Sequence, residues 1–162
     1  MEALRGALNA QRRHVLGAVD GLSDEQLTRP ILPSHWNCVG LINHLALDVE
    51  RWWFRQVFAG EELSQAEVAE SGNDAWLVPA DVVPHTILER YRREIERADA
   101  IISSASVDEP PRTWPDLFAP RFHLDNLREL LLHVITETAC HAGHLDATRE
   151  LIDGRQWLVL TE

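Results

Sequence analysis

Leu130-Leu131-Leu132-His133-Val134-Ile135-Thr136-Glu137-Thr138-Ala139-Cys140-His141-Ala142-Gly143-His144-Leu145 is the stretch that decides the fold. Its apolar residues recur at three- and four-residue spacing, the period of a helix with one face in a core. Glu137 and His141 lie four residues apart and therefore one above the other, and His144 continues the line. A carboxylate and imidazoles on a buried surface are costly to desolvate unless something satisfies them. Two readings of this stripe stay open. In the plainer one, His141 is a core histidine bonded to a neighbouring carbonyl or carboxylate, with Glu137 as its partner. In the other, a divalent metal binds here and a third ligand comes from another helix.

Outward from this stretch, the helix runs over residues 126–153 and stops at Gly154. Three more amphipathic segments precede it. Residues 2–20 carry Leu4, Leu8, Val15 and Val19, with Arg5, Arg12 and Arg13 between them, and end before Gly21. Ser23-Asp24-Glu25-Gln26 has the form of a capping box and opens a short helical turn. Residues 29–36 contain Pro30 and Pro33 and read as a loop. The second long helix spans residues 37–58, with Val39, Leu41, Ile42, Leu45, Val49, Trp52, Trp53 and Phe58 on one broad side. The third spans residues 85–104, with Ile87, Leu88, Tyr91, Ile95, Ala98 and Ile102 as its stripe. Glu89, Arg90, Arg92, Arg93, Glu94, Glu96 and Arg97 crowd its remaining face.

The connections 60–84 and 107–125 show no convincing period, and the second holds Pro110, Pro111, Pro115 and Pro120. Connections of this length are often functional. Four amphipathic segments without strand alternation predict an all-α fold, a four-helix bundle with long connections. The apolar tail 156–160 is expected to pack against it. At 162 residues and 45% hydrophobic, the chain 1–162 is expected to be one domain with a sizeable core.

Fifteen basic against 26 acidic residues give a net charge of −11, which argues against nucleic acid or an anionic membrane surface as partner. No run approaches the ~18 apolar residues of a membrane span, and the first residues lack the apolar length of a secretory leader. The expectation is a soluble, cytoplasmic protein. Cys38 and Cys140 are too few for a disulfide framework. No phosphate loop, nucleophile elbow or paired Cys-x2-Cys occurs.

His44 sits in the middle of the apolar side of the second helix. Several separate polar intrusions into one core account for the pattern less well than one shared site. A mixed imidazole and carboxylate set of His44, Glu137 and His141 suits a divalent transition ion, and three protein ligands leave a position open for water or substrate. The competing register pairs His141 with His144 and leaves Glu137 outside the ligand set. Asp48, one turn beyond His44, is read first as a surface charge near Arg51, second as a ligand or an acceptor orienting the imidazole. Cys140 lies about 100° round the helix from His141 and reads as ordinary packing, as does Cys38. His133 is open between the same cavity and a satisfied histidine elsewhere. His14, His35, His85 and His123 carry no spacing signal. Trp36 and Trp52 lie near His44 in sequence, but packing is the better reading of each.

Trp36-Asn-Cys-Val-Gly-Leu-Ile-Asn-His44-Leu, followed by Arg51-Trp-Trp-Phe54, resembles the second-helix signature of the DinB/YfiT-like superfamily. Leu131-Leu-His-Val-Ile-Thr-Glu137-Thr-Ala-Cys-His141-Ala-Gly-His144 is similar to its last-helix signature. The resemblance implies a four-helix bundle, often a homodimer, with a divalent metal held by His44, Glu137 and His141. Zinc or nickel heads the list of ions. Glu137 stands where most relatives have the first histidine of a His-x3-His pair, as in the branch of mycothiol-dependent maleylpyruvate isomerases. His144 is then a reserve ligand or the catalytic proton-transfer group. The function so implied is a metal-dependent enzyme acting on a small-molecule substrate, with mycothiol, bacillithiol or another low-molecular-weight thiol as cosubstrate. Thiol transfer, isomerisation and hydrolysis all fit. The alternative is a non-catalytic metal- or ligand-binding dimer serving in a stress response.

Overall fold

Asn126 opens the longest helix, α6 (Leu127–Asp153), its side chain accepting the backbone N–H of Glu129 at 3.1 Å. Glu129 returns the favour to the backbone N–H of Asp125 at 2.8 Å. At 27 residues the helix is about 40 Å long, and Gly154 ends it at φ +79°, a left-handed conformation that glycine adopts without strain. The structure, a computed structural model, describes residues 1–71, 74–116 and 121–157.

Helix α1 (Glu2–Val19) lies along α6. Arg149 of α6 donates from Nη1 to the carbonyls of Ala18 and Asp20 at 3.0 and 2.8 Å, satisfying acceptors that the end of α1 leaves open. Ser23 and Gln26 form the expected capping box at the start of the short helix α2 (Asp24–Thr28). Asn37 caps α3 (Cys38–His44) through the Gly40 N–H at 2.8 Å. From there the rod continues as a π-helical segment, Leu45–Phe58. Helices α4 (Gln65–Ser71) and α5 (Pro84–Ser104) follow. The α3–π rod packs against both α5 and α6. Leu8, Ile42, Leu45, Phe54, Ile87, Tyr91, Leu130 and Val134 meet in one core.

The all-α class stands, and the described residues contain no strand. The four long expected helices are present with ends within a residue of those read from the chain. Three features differ. Helix α4 lies in a connection that shows no apolar period, because the helix is held by charge: Ser64 and Glu67 cap it reciprocally, and Glu67 and Glu70 face arginines of the core rods. The second rod changes from α to π at Leu45, so that the backbone N–H of Ala59 bonds Phe54, five residues back. Glu94, expected among the solvated charges of α5, is completely buried. Its carboxylate receives Arg51 at 2.8 Å and Arg55 at 3.0 Å, both from the π segment. Arg12, set between apolar residues of α1, is likewise buried and holds Glu50 through two hydrogen bonds of 2.7 and 2.6 Å.

These pairs explain how long charged side chains fit a core: each ion is hydrogen-bonded as well as neutralised, which burial demands. Of the expected tail, Trp157 lies against Gly17 and stacks on His14 with ring centres 6.2 Å apart; residues 158–160 fall outside the described residues. His14, which carries no spacing signal, is buried and bonded to Asp146 of α6.

Candidate functional site

His44 closes α3 at the point where the π segment begins. Its Nδ1 lies 2.9 Å from Asp48 Oδ2. The carboxylate thus orients the ring and leaves Nε2 as the other donor or acceptor atom. Arg51, which the chain suggests as the cation near Asp48, instead reaches Glu94 and Glu70 in the core. From α6, His141 brings its ring to within 5.0 Å of that of His44, edge to face. One turn on, the exposed His144 places Nδ1 3.4 Å from Nδ1 of His141.

Burial pushes the His141 imidazolium below its ordinary range, with the neighbouring His44 adding to the effect and Glu137 opposing it. The ring is therefore neutral, with a lone pair to offer, near neutral pH. Glu137 is half-buried and acts on both His141 and His133 through its charge. His133 is not in this cluster: it packs edge-on to Trp53 at 4.7 Å and against Phe122 at 5.3 Å. Cys38 is buried, and burial pushes its thiol up to about 11, so it remains protonated. Cys140, read as packing, is exposed, since the face a third of a turn from His141 looks outward.

A residue that sequence reasoning passed over completes the wall. Trp76 stacks on His44 with ring centres 4.4 Å apart and planes 21° apart, and it meets His141 at 5.6 Å. Its segment meets α3 at two points, Asn43 and Gly40. Asn43 donates from Nδ2 to the Ala75 carbonyl at 2.8 Å, and Arg90 of α5 donates to Asn43 Oδ1 at 2.6 Å. At Gly40 a Cβ would stand 2.3 Å from the Trp76 carbonyl oxygen, so no larger residue fits there. Asp74 Oδ1 accepts the Trp76 backbone N–H at 2.9 Å. Trp36 lies 6.4 Å from Trp76 and 6.2 Å from His144 between ring centres. It packs against the core, as expected, and also lines the cleft. Residues 34–37 and 74–79 enclose an open cleft of about 680 Å³. The only signal for Trp76 in the chain is an aromatic residue standing in an acidic stretch without helical period.

The three imidazoles and the nearby carboxylates offer a divalent ion chemically suitable donors. Two facing Nδ1 atoms satisfy one another only when one carries the proton and the other the lone pair, or when a cation lies between them. Two nitrogens on one tetrahedral ion stand about 3.3–3.4 Å apart, given the ~2.0–2.1 Å metal–nitrogen bond. The donor set fits, although among the described residues no three His, Cys, Asp or Glu side chains already converge as a ligand group.

No helix among the described residues is long and apolar enough to cross a membrane. No curated protein and no solved structure matches the chain significantly. A family model described as mycothiol-S-transferase matches residues 3–154. With nearly all of its length matched, and with an all-helical fold in agreement, the chain belongs to the mycothiol-S-transferase family, within the DinB-like superfamily.

Proposed function

We propose that this protein transfers a low-molecular-weight thiol, mycothiol in the first instance, to a small electrophilic substrate, and that the reaction takes place at His44, His141 and His144. The observation that carries the reading is the contact of His141 with both His44 and His144, against Trp36 and Trp76, at the edge of a ligand-sized cleft. Family membership supports thiol chemistry; the position of the histidines supports its place.

In this account His44, Glu137 and His141 hold a divalent ion, zinc or nickel. When bound, such an ion supplies Lewis acidity that lowers the pKa of a thiol and raises the fraction of thiolate near neutral pH. The chain's own groups do the rest. Asp48 fixes the His44 ring through Nδ1. Burial keeps His141 neutral and available as a donor. Nδ1 of His144, on an exposed side chain, receives the thiol proton and passes it out. Trp36 and Trp76 keep bulk water from the sulfur.

A second reading has a specific observation in its favour. The 3.4 Å separation of the His141 and His144 Nδ1 atoms is that of two ligands on one ion, which makes His144 the third ligand and leaves Glu137 outside. Elemental analysis of purified protein and of His44→Ala, Glu137→Gln and His144→Gln variants tests both. About one equivalent of metal, lost in His44→Ala and Glu137→Gln but kept in His144→Gln, is the expected result. Loss in His144→Gln with retention in Glu137→Gln exchanges the two roles. Absence of metal after reconstitution of the wild type with several ions, or binding unaffected by His44→Ala, contradicts the site.

A further inference from the structure

We infer that the cleft between residues 34–37 and 74–79 is the seat of the acceptor, and that it selects a flat, uncharged, apolar electrophile; its role as acceptor seat rests on the transferase reading above. The inference comes from what the cleft offers a ligand. Among its Ser, His, Asn and Asp side chains, Asn37 and one oxygen of Asp74 are engaged by the protein itself. Asn37 accepts the Gly40 N–H at 2.8 Å and donates to the Thr28 carbonyl at 2.9 Å. Asp74 accepts the Trp76 N–H. Ser34, His35 and the second carboxylate oxygen of Asp74 remain at the rim, against indole, Leu77, Val78 and Pro79 surface.

A polyol or sugar-bearing thiol needs many hydrogen-bonding partners when it leaves water, and unpaired hydroxyls are costly. Of its Ser, His, Asn and Asp side chains, this cleft leaves only Ser34, His35 and one oxygen of Asp74 for that purpose. Among the described residues no lysine or arginine lines it, so an anionic ligand finds no counter-charge there either. Its volume of about 680 Å³ suits a small organic molecule, and its aromatic walls suit a planar one. Leu77 is 74% exposed, apolar surface that such a ligand would cover.

Position favours the acceptor as well. The indoles that line the cleft are those in contact with the imidazoles: Trp76 with His44 and His141, Trp36 with His144. A ligand against them lies beside the site at which the thiolate forms. For an aryl chloride acceptor, the sulfur bonds to the ring carbon, chloride departs with the electron pair of the carbon–chlorine bond, and the thiol proton goes to His144 Nδ1. The close fit of Gly40 and the hydrogen bonds of Asn43 and Arg90 hold the Trp76 wall in place.

The test uses 1,3-dinitrobenzene, a flat apolar analogue that cannot react, titrated into the full-length protein and followed by quenching of tryptophan emission. Leu77→Asp and Ser34→Asp place a charge on either side of the cleft at exposed positions, with circular dichroism as the check on folding. Saturable quenching, weakened about tenfold or more by either variant and unchanged by saturating mycothiol, is the expected result. Non-saturable quenching, or quenching indifferent to both variants, overturns the inference. Displacement by mycothiol overturns it too, and makes the cleft the seat of the thiol. The titration does not depend on turnover. Binding as expected with no conjugation of 1-chloro-2,4-dinitrobenzene by mycothiol upholds an apolar ligand seat and contradicts the transferase reading instead.

Discussion

Replacing Glu94 by alanine removes the carboxylate on which two buried arginines converge. Arg51 and Arg55 stand 2.8 and 3.0 Å from its oxygens, and Glu94 is entirely shielded from solvent. Removing one member of a buried ion pair costs about 3–5 kcal/mol, because the remaining charge is left without its partner. Arg51 retains Glu70, and Arg55 retains Glu61 and Glu67, so the lower end, about 3 kcal/mol, is the appropriate figure. For a chain of this size that corresponds to a fall in melting temperature of about 6–12 °C. Burial alone would raise the Glu94 pKa, but the hydrogen bonds and charges of Arg51 and Arg55 outweigh it and hold the carboxyl below its ordinary value. A depressed folded pKa contributes stability that is present above the unfolded carboxyl value of about 4.3 and is lost as pH falls through the folded value. The gap between wild type and Glu94→Ala should therefore be constant near neutrality and narrow in acid. Thermal melts followed by circular dichroism at pH 7 and pH 3.5 measure both effects. A loss below about 2 °C at pH 7, or a gap that widens in acid, would refute the reasoning.

Gly40→Ala drives a Cβ onto the Trp76 carbonyl, a backbone atom that yields only if its segment moves; a cost of about 1–3 kcal/mol is expected. Loss of the ring-current shift on His44 protons in the nuclear magnetic resonance spectrum would report the displaced indole, and an unchanged shift would count against the contact. Arg149→Met removes charge-assisted hydrogen bonds to Ala18 and Asp20, costing about 1.5–3 kcal/mol in a urea titration, with faster amide exchange at the start of the α1–α2 turn. Of the two cysteines, exposed Cys140 should react with dithionitrobenzoate in the native protein, and Cys38 only after denaturation. Rapid release by both thiols would contradict the burial of Cys38.

The long helices were legible because their information is local: apolar residues at helical spacing, asparagine before the first turn, glycine after the last. Helix α4 was not read, since an electrostatically fastened helix shows no apolar stripe; Ser64 followed three residues later by Glu67 was its one local mark. The burial of Glu94 and Arg12 is hidden for the converse reason. A charged residue's burial is decided by partners on other elements, here 39 to 43 positions away for Glu94 and 38 for Arg12. The π-helical turn after His44 likewise leaves no mark in composition. Spacing on one helix set His141 and His144 in line, and the apolar side of the second helix pointed to His44. Trp76 reaches the site only through tertiary fastening by Asn43 and Gly40, which nothing in its own neighbourhood announces.

The central claim is that His44 and His141 form the place where a thiol is made reactive. Its most direct test is mass-spectrometric measurement of mycothiol conjugation to 1-chloro-2,4-dinitrobenzene by zinc- or nickel-loaded wild type, His44→Ala and His141→Ala proteins, each shown to be folded. The account predicts conjugate formation well above the uncatalysed rate in the wild type and its loss in both variants. Conjugation persisting undiminished in either variant would contradict it.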